Sequence, residues 1–379
     1  MGSTLNLKRQ HAAAGEAADD GISRLPDSVL SHILSFVPTT DAVRTSVLST
    51  RWKHLLASAS NLHFDDSRVV SEYLNRSGKR HKTDLAPLHS FVIFVYRVLA
   101  LGNSLLINRF RLKCTAGQFL GYEMKPHLNT WISVALWHGV RELDLHISPL
   151  TKSNLLPCSL FTSATLRVLK LTMNGAELNV PASVRFSSLK ILHLRSMVFV
   201  DDGSVKCLFS GCSVLEDLLI EFCNFSRMKV IDISIPTLQR LTINGRTSNY
   251  EYIIPQYEIV FDFPLLEYLN YVEFGVKGFE LKNQENSLGE AHVNIRPVYG
   301  MRSIAGLKVV NFLEGICNVS FLHLINDPLL GFSRTSSWPA RSQSSTTLQN
   351  KRQKRMSSML RKIEIREFTG SEYEFKLIG

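Results

Sequence analysis

The side chains best suited to bond-making chemistry in this sequence are six cysteines and twelve histidines, and their spacing argues against such chemistry. Cys114, Cys158, Cys207, Cys212, Cys223 and Cys317 form no C-x-x-C pair and lie scattered through apolar patterns. Zinc and thiol–disulfide centres need ligands a few residues apart. Scattered cysteines read instead as reduced, mostly buried thiols in a reducing compartment, cytoplasmic or nuclear. The histidines show no metal spacing paired with cysteine. There is no G-x-x-x-x-G-K-[ST] phosphate loop, no G-x-G-x-x-G opening a helix, no G-x-S-x-G turn and no H-E-x-x-H helix. The expectation is a non-catalytic protein with no cofactor and no metal. Its function must then lie in binding, and the elements that present a binding surface become the question.

The first such element is the segment 22–56. Leu25-Pro26-Asp27 opens a helix, because a first-turn Pro loses no hydrogen bond and Asp27 suits the positive end of the helix dipole. Val29, Leu30, Ile33, Leu34 and Val37 then follow the i, i+3, i+4, i+7 stripe of an amphipathic helix; Phe36 widens it and Pro38 ends it. Thr40 or Asp41 caps a second helix carrying Val43, Val47 and Leu48. Ser49 or Thr50 caps a third, carrying Trp52, Leu55 and Leu56. Helices of about ten residues are marginal alone. Their apolar faces must be covered either by a partner or by the rest of the chain.

The string LPDSVLSHILSFVPTTDAVRTSVLSTRWKHL closely resembles the plant form of the F-box motif, in order and in spacing. That resemblance implies docking to the Skp family adaptor of an SCF-type cullin-RING ubiquitin ligase, and through it to cullin and RING subunits. Carried over position by position, it places the adaptor-facing residues at Leu25, Pro26, Ile33, Leu34, Val43, Val47, Leu48 and Trp52. For each of these, docking and holding the module together are alternative roles.

From about residue 105 a different period takes over. L-x-x-L-x-L copies start at Leu166, Leu189, Leu215 and Leu238, spaced 23, 26 and 23 residues apart. Earlier copies start at Ile107 and Val140, and later ones at Leu266, Leu288, Val319 and Leu360. Leucine-rich repeats run about 20–29 residues. The last two apolar residues of each copy alternate, as a half-buried strand requires. No repeat can bury its leucines alone, so neighbours must stack into a solenoid with a parallel sheet on its concave face. Asn174 and Cys223 fall where the repeat consensus has Asn or Cys; most copies lack that residue, so the solenoid should be irregular.

The residues flanking the strand leucines should face a protein substrate: Arg109, Arg111, Glu142, Asp144, Lys170, His193, Arg195, Asp217, Glu221 and Arg240. They read as basic, acidic and basic sectors. Such a mixed surface suits a protein partner better than a phosphate backbone, which favours one continuous positive stripe. The net charge of +10 is dispersed and does not favour nucleic acid. No apolar run approaches the roughly 18–20 residues that span a bilayer.

The resulting map is an α/β protein. It has a disordered leader (1–20), the three-helix F-box module (21–60), a connector (61–104) and an irregular leucine-rich-repeat solenoid (105–330). A polar, disordered, Ser-rich linker (331–358) follows. The last segment (359–379), with its I-x-I strand and Phe-Thr-Gly turn, resembles a truncated FBD opening. The 41-residue gap between the Val319 and Leu360 copies points to a lost repeat or an unusual insertion. Two readings of function follow. One is a substrate receptor of the ligase; the other is a leucine-rich-repeat interaction scaffold without ligase function.

Overall fold

The computed structural model describes residues 21–22, 24–47, 49–57, 59–77, 85–101, 106–148, 155–245, 257–274, 278–282, 288–296, 312, 316, 319–325 and 362–366. The leader 1–20, the linker 331–358, the end of the FBD-like segment after Arg366, Leu48 and Cys317 lie outside these residues. The chain divides into two compact units, residues 1–59 and 60–379.

In the first unit, α1 (Asp27–Leu34), α2 (Thr39–Thr45) and α3 (Thr50–Ala57) are each shorter than the apolar pattern implies. The prolines explain this. Pro26 and Pro38 each stand just outside a helix, with extended ψ of 151° and 140°, and their carbonyls accept the first helical hydrogen bonds. Pro38 therefore opens α2 at Thr39, and neither Thr40 nor Asp41 caps it. Ser49 does cap α3, its Oγ lying 3.4 Å from the Trp52 amide. The core of the unit is small: Leu30, Leu34, Ala42 and Leu55 are buried, with Leu25, Val37, Trp52 and Leu56 packed against them.

The second unit is built on an eleven-stranded parallel sheet. Its strands, in sheet order, are β1 (Asn61–Asp65), β2 (Arg109–Cys114), β3 (Glu142–Ile147), β4 (Val168–Thr172), β6 (Ile191–Arg195), β8 (Asp217–Glu221), β10 (Arg240–Asn244), β12 (Tyr268–Phe274), β14 (Glu290–Arg296), β15 (Phe321–Ile325) and β16 (Lys362–Arg366). Every L-x-x-L-x-L copy supplies one of these strands. The buried residues alternate along them, as in Leu143/Leu145, Leu192/Leu194 and Leu218/Ile220. This is the parallel sheet of a leucine-rich-repeat solenoid.

One expectation needs correction. The connector 61–104 is part of the sheet: Asn61–Asp65 pairs in register with Arg109–Lys113. Its apolar run forms the buried helix α5 (Ala86–Leu101), preceded by α4 (Ser67–Ser77). Asp66 fixes this junction. Its fully buried carboxylate accepts hydrogen bonds from the Thr115 amide (2.7 Å), the Thr115 hydroxyl (2.8 Å) and the Ala116 amide (2.6 Å). Burial pushes the Asp66 carboxyl up, and the hydrogen bonds only partly offset that. Across the long gap, β16 pairs directly with β15, Phe321 opposite Lys362.

Crossovers change character along the unit. Early ones are helical: α4 and α5, then α6 (Gly117–Leu120) with α7 (Met124–Trp137), and later α8 (Asp202–Ser210). Two short crossover strands, β5 (Glu177–Leu178) and β7 (Val198–Phe199), pair with each other. Later crossovers are strands, β9 (Val230–Ser234), β11 (Glu258–Asp262) and β13 (Gly278–Leu281), which form a second parallel sheet. The core beneath them is aromatic: Phe261, Tyr271, Phe279 and Phe312 pack with centroids 4.7–6.3 Å apart. Rings fill the layer between two sheets, which stack about 10 Å apart. Among the described residues no helix is long and apolar enough to cross a membrane.

Candidate docking surfaces

On the first unit, the single apolar stripe read from the sequence resolves into two. Leu30 and Leu34 point into the core with Val37. Val29, Ile33 and Phe36, offset by one position, point outward and are 41%, 42% and 76% exposed. Val47, just after α2, is 86% exposed. These four apolar groups are left uncovered although the unit's own core is filled. The edge of the His32 ring meets Phe36, with centroids 4.9 Å apart. Arg51 of α3 holds the start of α1: its guanidinium lies 2.7 Å from the Asp27 carboxylate and donates to the Leu25 carbonyl.

The expected adaptor-facing set divides accordingly. Pro26, Ile33 and Val47 are exposed, and Val43 is half-buried. Leu34 is 3% exposed and belongs to the core, the second of its two expected roles. Leu25 and Trp52 are partly buried and pack against the core. Leu48 lies outside the described residues. Val29 and Phe36, read from the sequence as part of one apolar stripe, lie on the outer one. Only the offset 29–33–36 against 30–34–37 distinguishes them in the sequence.

On the second unit, residues of like parity line up across the parallel strands. Arg109 stands opposite Glu142, Arg111 opposite Asp144, and Arg195 opposite Glu221. Each of these neighbours is an ion pair, with N···O distances of 2.6, 2.9 and 2.6 Å. His193 lies 3.7 Å and Arg240 3.9 Å from the two oxygens of Asp217. The basic and acidic sectors read from the sequence therefore meet as ion pairs where a basic strand neighbours an acidic one, at β2/β3, β6/β8 and β8/β10. Among the described residues Lys170 makes no ion pair.

From β10 onward the same face becomes aromatic. Arg240 lies over the Tyr268 ring at 5.9 Å, Tyr268 lies 5.6 Å from the His292 ring, and His292 stacks on His323 at 4.3 Å. None of Tyr268, Glu290, His292 or His323 was expected at a site. Tyr268, Glu290 and His292 share the alternation that picked out Arg240, but their repeats start less regularly.

The repeat turns differ in their details. Cys223 is buried, its thiol 3.5 Å from the carbonyls of Leu194 and Glu221, and thus ties neighbouring strands. Asn174, at the equivalent repeat position, is exposed and instead donates to the Ser148 hydroxyl at 2.6 Å. Burial pushes the thiols of Cys212 and Cys223 up to about 12 and that of Cys114 well above its ordinary value. Thiols so shifted carry no nucleophile near neutrality. Cys158 is the exposed one among those described.

A helical module with an uncovered apolar stripe, encoded ahead of a parallel repeat sheet with a polar face, defines a two-surface binding protein. The F-box domain profile matches residues 22–64. The profile described as FBD-associated F-box protein At5g56370, LRR repeats, matches residues 128–293. F-box/LRR-repeat protein At4g14103 of Arabidopsis thaliana is 34% identical over 317 residues, which are 80% of this chain and 77% of that protein. F-box/LRR-repeat protein At3g59200 of the same plant is 39% identical over 328 residues, covering 80% and 59%. F-box/FBD/LRR-repeat protein At4g26340, also from that plant, is 36% identical over 287 residues, covering 73% and 60%. The chain thus spans about three-fifths of the length of the latter two. No solved structure matches. The chain belongs to the F-box/LRR-repeat family.

Proposed function

We propose that the chain is a substrate-receptor subunit of an SCF-type cullin-RING ubiquitin ligase. Its F-box docks a Skp family adaptor, and its repeat sheet recruits a protein substrate. The observation that carries this reading is that Val29, Ile33, Phe36 and Val47 are left uncovered on a module whose own core is already filled. Large apolar side chains left exposed together on a small module suit a protein-interaction site. The chain itself is non-catalytic here. It raises the effective concentration of a substrate beside a charged conjugating enzyme, and partner subunits carry out the transfer. The cytosol or nucleus, where cysteines stay reduced, is the compartment this reading requires.

The test is affinity purification of the full chain from plant cells, with identification of the co-purifying proteins. Adaptor and cullin should accompany the wild type and be lost from the Leu25→Ala/Pro26→Ala variant. Recovery of repeat-dependent partners without adaptor or cullin would overturn the ligase reading in favour of a scaffold.

A further inference from the structure

We propose that Glu290, His292 and His323 form a binding site for a divalent transition metal of the zinc class. Glu290 and His292 stand two residues apart on β14, so both project from one face of the strand. His323 of β15 is the in-register neighbour of His292. One ligand atom from each of the three lies within 4.8 Å of the other two. The imidazoles stack almost parallel, 10° apart with centroids at 4.3 Å, and His292 Nε2 lies 2.6 Å from Glu290 Oε1. Two imidazoles and one carboxylate are the donor set that borderline cations prefer over calcium or magnesium.

Two adjustments make the geometry productive: the stacked imidazoles must swing about their side-chain torsions so that their nitrogens converge from the 4.8 Å span, and the Glu290–His292 contact must lengthen. Metal bonds of about 2.0–2.2 Å in a tetrahedral site place ligand atoms about 3.3 Å apart. The Glu290–His292 contact must therefore open by under about 1 Å, and the glutamate's rotatable bonds permit this. Binding displaces the proton that His292 Nε2 shares with Glu290, and that proton passes to solvent. Three protein ligands leave a position open for water or for a side chain from a bound partner.

A second observation points the same way. Asn294 continues the row 290–292–294 on that face of β14. It is 3% exposed, and its Oδ1 has no hydrogen-bond partner. Buried carbonyl oxygens without a donor are rare and call for a ligand, an ion or a water. This site stands independently of the ligase reading.

Zinc titration of the full chain, in competition with a chromophoric chelator, tests the site. The expected result is one tightly bound ion per chain in the wild type. Affinity should fall in His292→Ala and in His323→Ala by more than the roughly 10–100-fold that loss of an outer-shell partner costs. Glu290→Gln, which keeps the side chain's size, should weaken binding as well. X-ray absorption of the zinc-loaded wild type needs no variant and should show two imidazoles with oxygen. Sulfur ligation would place the ion at cysteines and overturn the proposal. So would the absence of a bound ion, or unchanged affinity in folded His292→Ala and His323→Ala proteins.

Discussion

The two binding faces of this chain are built from opposite materials. The helical module leaves aliphatic and aromatic groups uncovered around a minimal core of Leu30, Leu34, Ala42 and Leu55. The repeat sheet buries its apolar residues almost completely and presents charges that pair with one another across strands. The first face gains affinity by losing water, a contribution proportional to the area covered and weakly sensitive to salt. Over its charged part, the second would bind largely by exchanging internal ion pairs for intermolecular ones. That favours selectivity and salt dependence over raw affinity. The proposed roles, a constant dock and a discriminating reader, call for these two kinds of surface.

The largest difference should appear on truncating a buried leucine in each unit. Leu30→Ala and Leu192→Ala each cost about 2–5 kcal/mol. In the module, where four residues make up the buried core, that loss should abolish hydrogen-exchange protection of α1–α3. In the repeat unit the same loss should leave most of the sheet protected, because each repeat contacts mainly its neighbours. Equal collapse of both units would break the comparison.

A smaller effect is expected at Gly211, the residue that follows α8. A Cβ there would lie 2.7 Å from the Val184 carbonyl oxygen and 2.5 Å from its Cγ1. Gly211→Ala should cost about 1–3 kcal/mol, the range for overpacking, read as a lower midpoint of denaturant unfolding. The module's transition should not move.

The smallest stability change belongs to the ion-pair ladder. Arg195 and Glu221 are partly exposed, and such pairs are worth about 0–1 kcal/mol. Arg195→Ala should therefore barely shift unfolding, and the shift should shrink further at high salt. A loss of several kcal/mol would mean that the ladder holds the fold together and is not a readable surface.

How much of this the sequence disclosed depends on how local each signal is. The repeat strands were legible because each carries its own leading Leu and two-residue alternation, from Ile107 to Ile365. The strand Asn61–Asp65 was not, since a solitary N-L-H-F-D has no period to belong to. β9, β11 and β13 were missed because their alternation lacks the leading Leu, and their pairing spans 20 or more residues. The charged face was located correctly by parity, but its ion pairs depend on register between residues 26 to 33 apart. Sequence spacing within one strand says nothing about that register. In the module, helix and turn types were legible. The one-residue offset that separates buried Leu30 and Leu34 from exposed Val29 and Ile33 was not, because all four fit one amphipathic stripe.

The central claim, that the module docks an adaptor through its uncovered apolar stripe, is tested most directly by calorimetry. Purified full chain is titrated with a purified plant Skp family adaptor, alongside the Ile33→Asp/Val47→Asp variant. Both substitutions lie outside the core and should leave the helical content of the module intact. The account predicts a one-to-one complex for the wild type and no measurable binding for the folded variant. Undiminished binding by the variant, or no complex with the wild type, would contradict it.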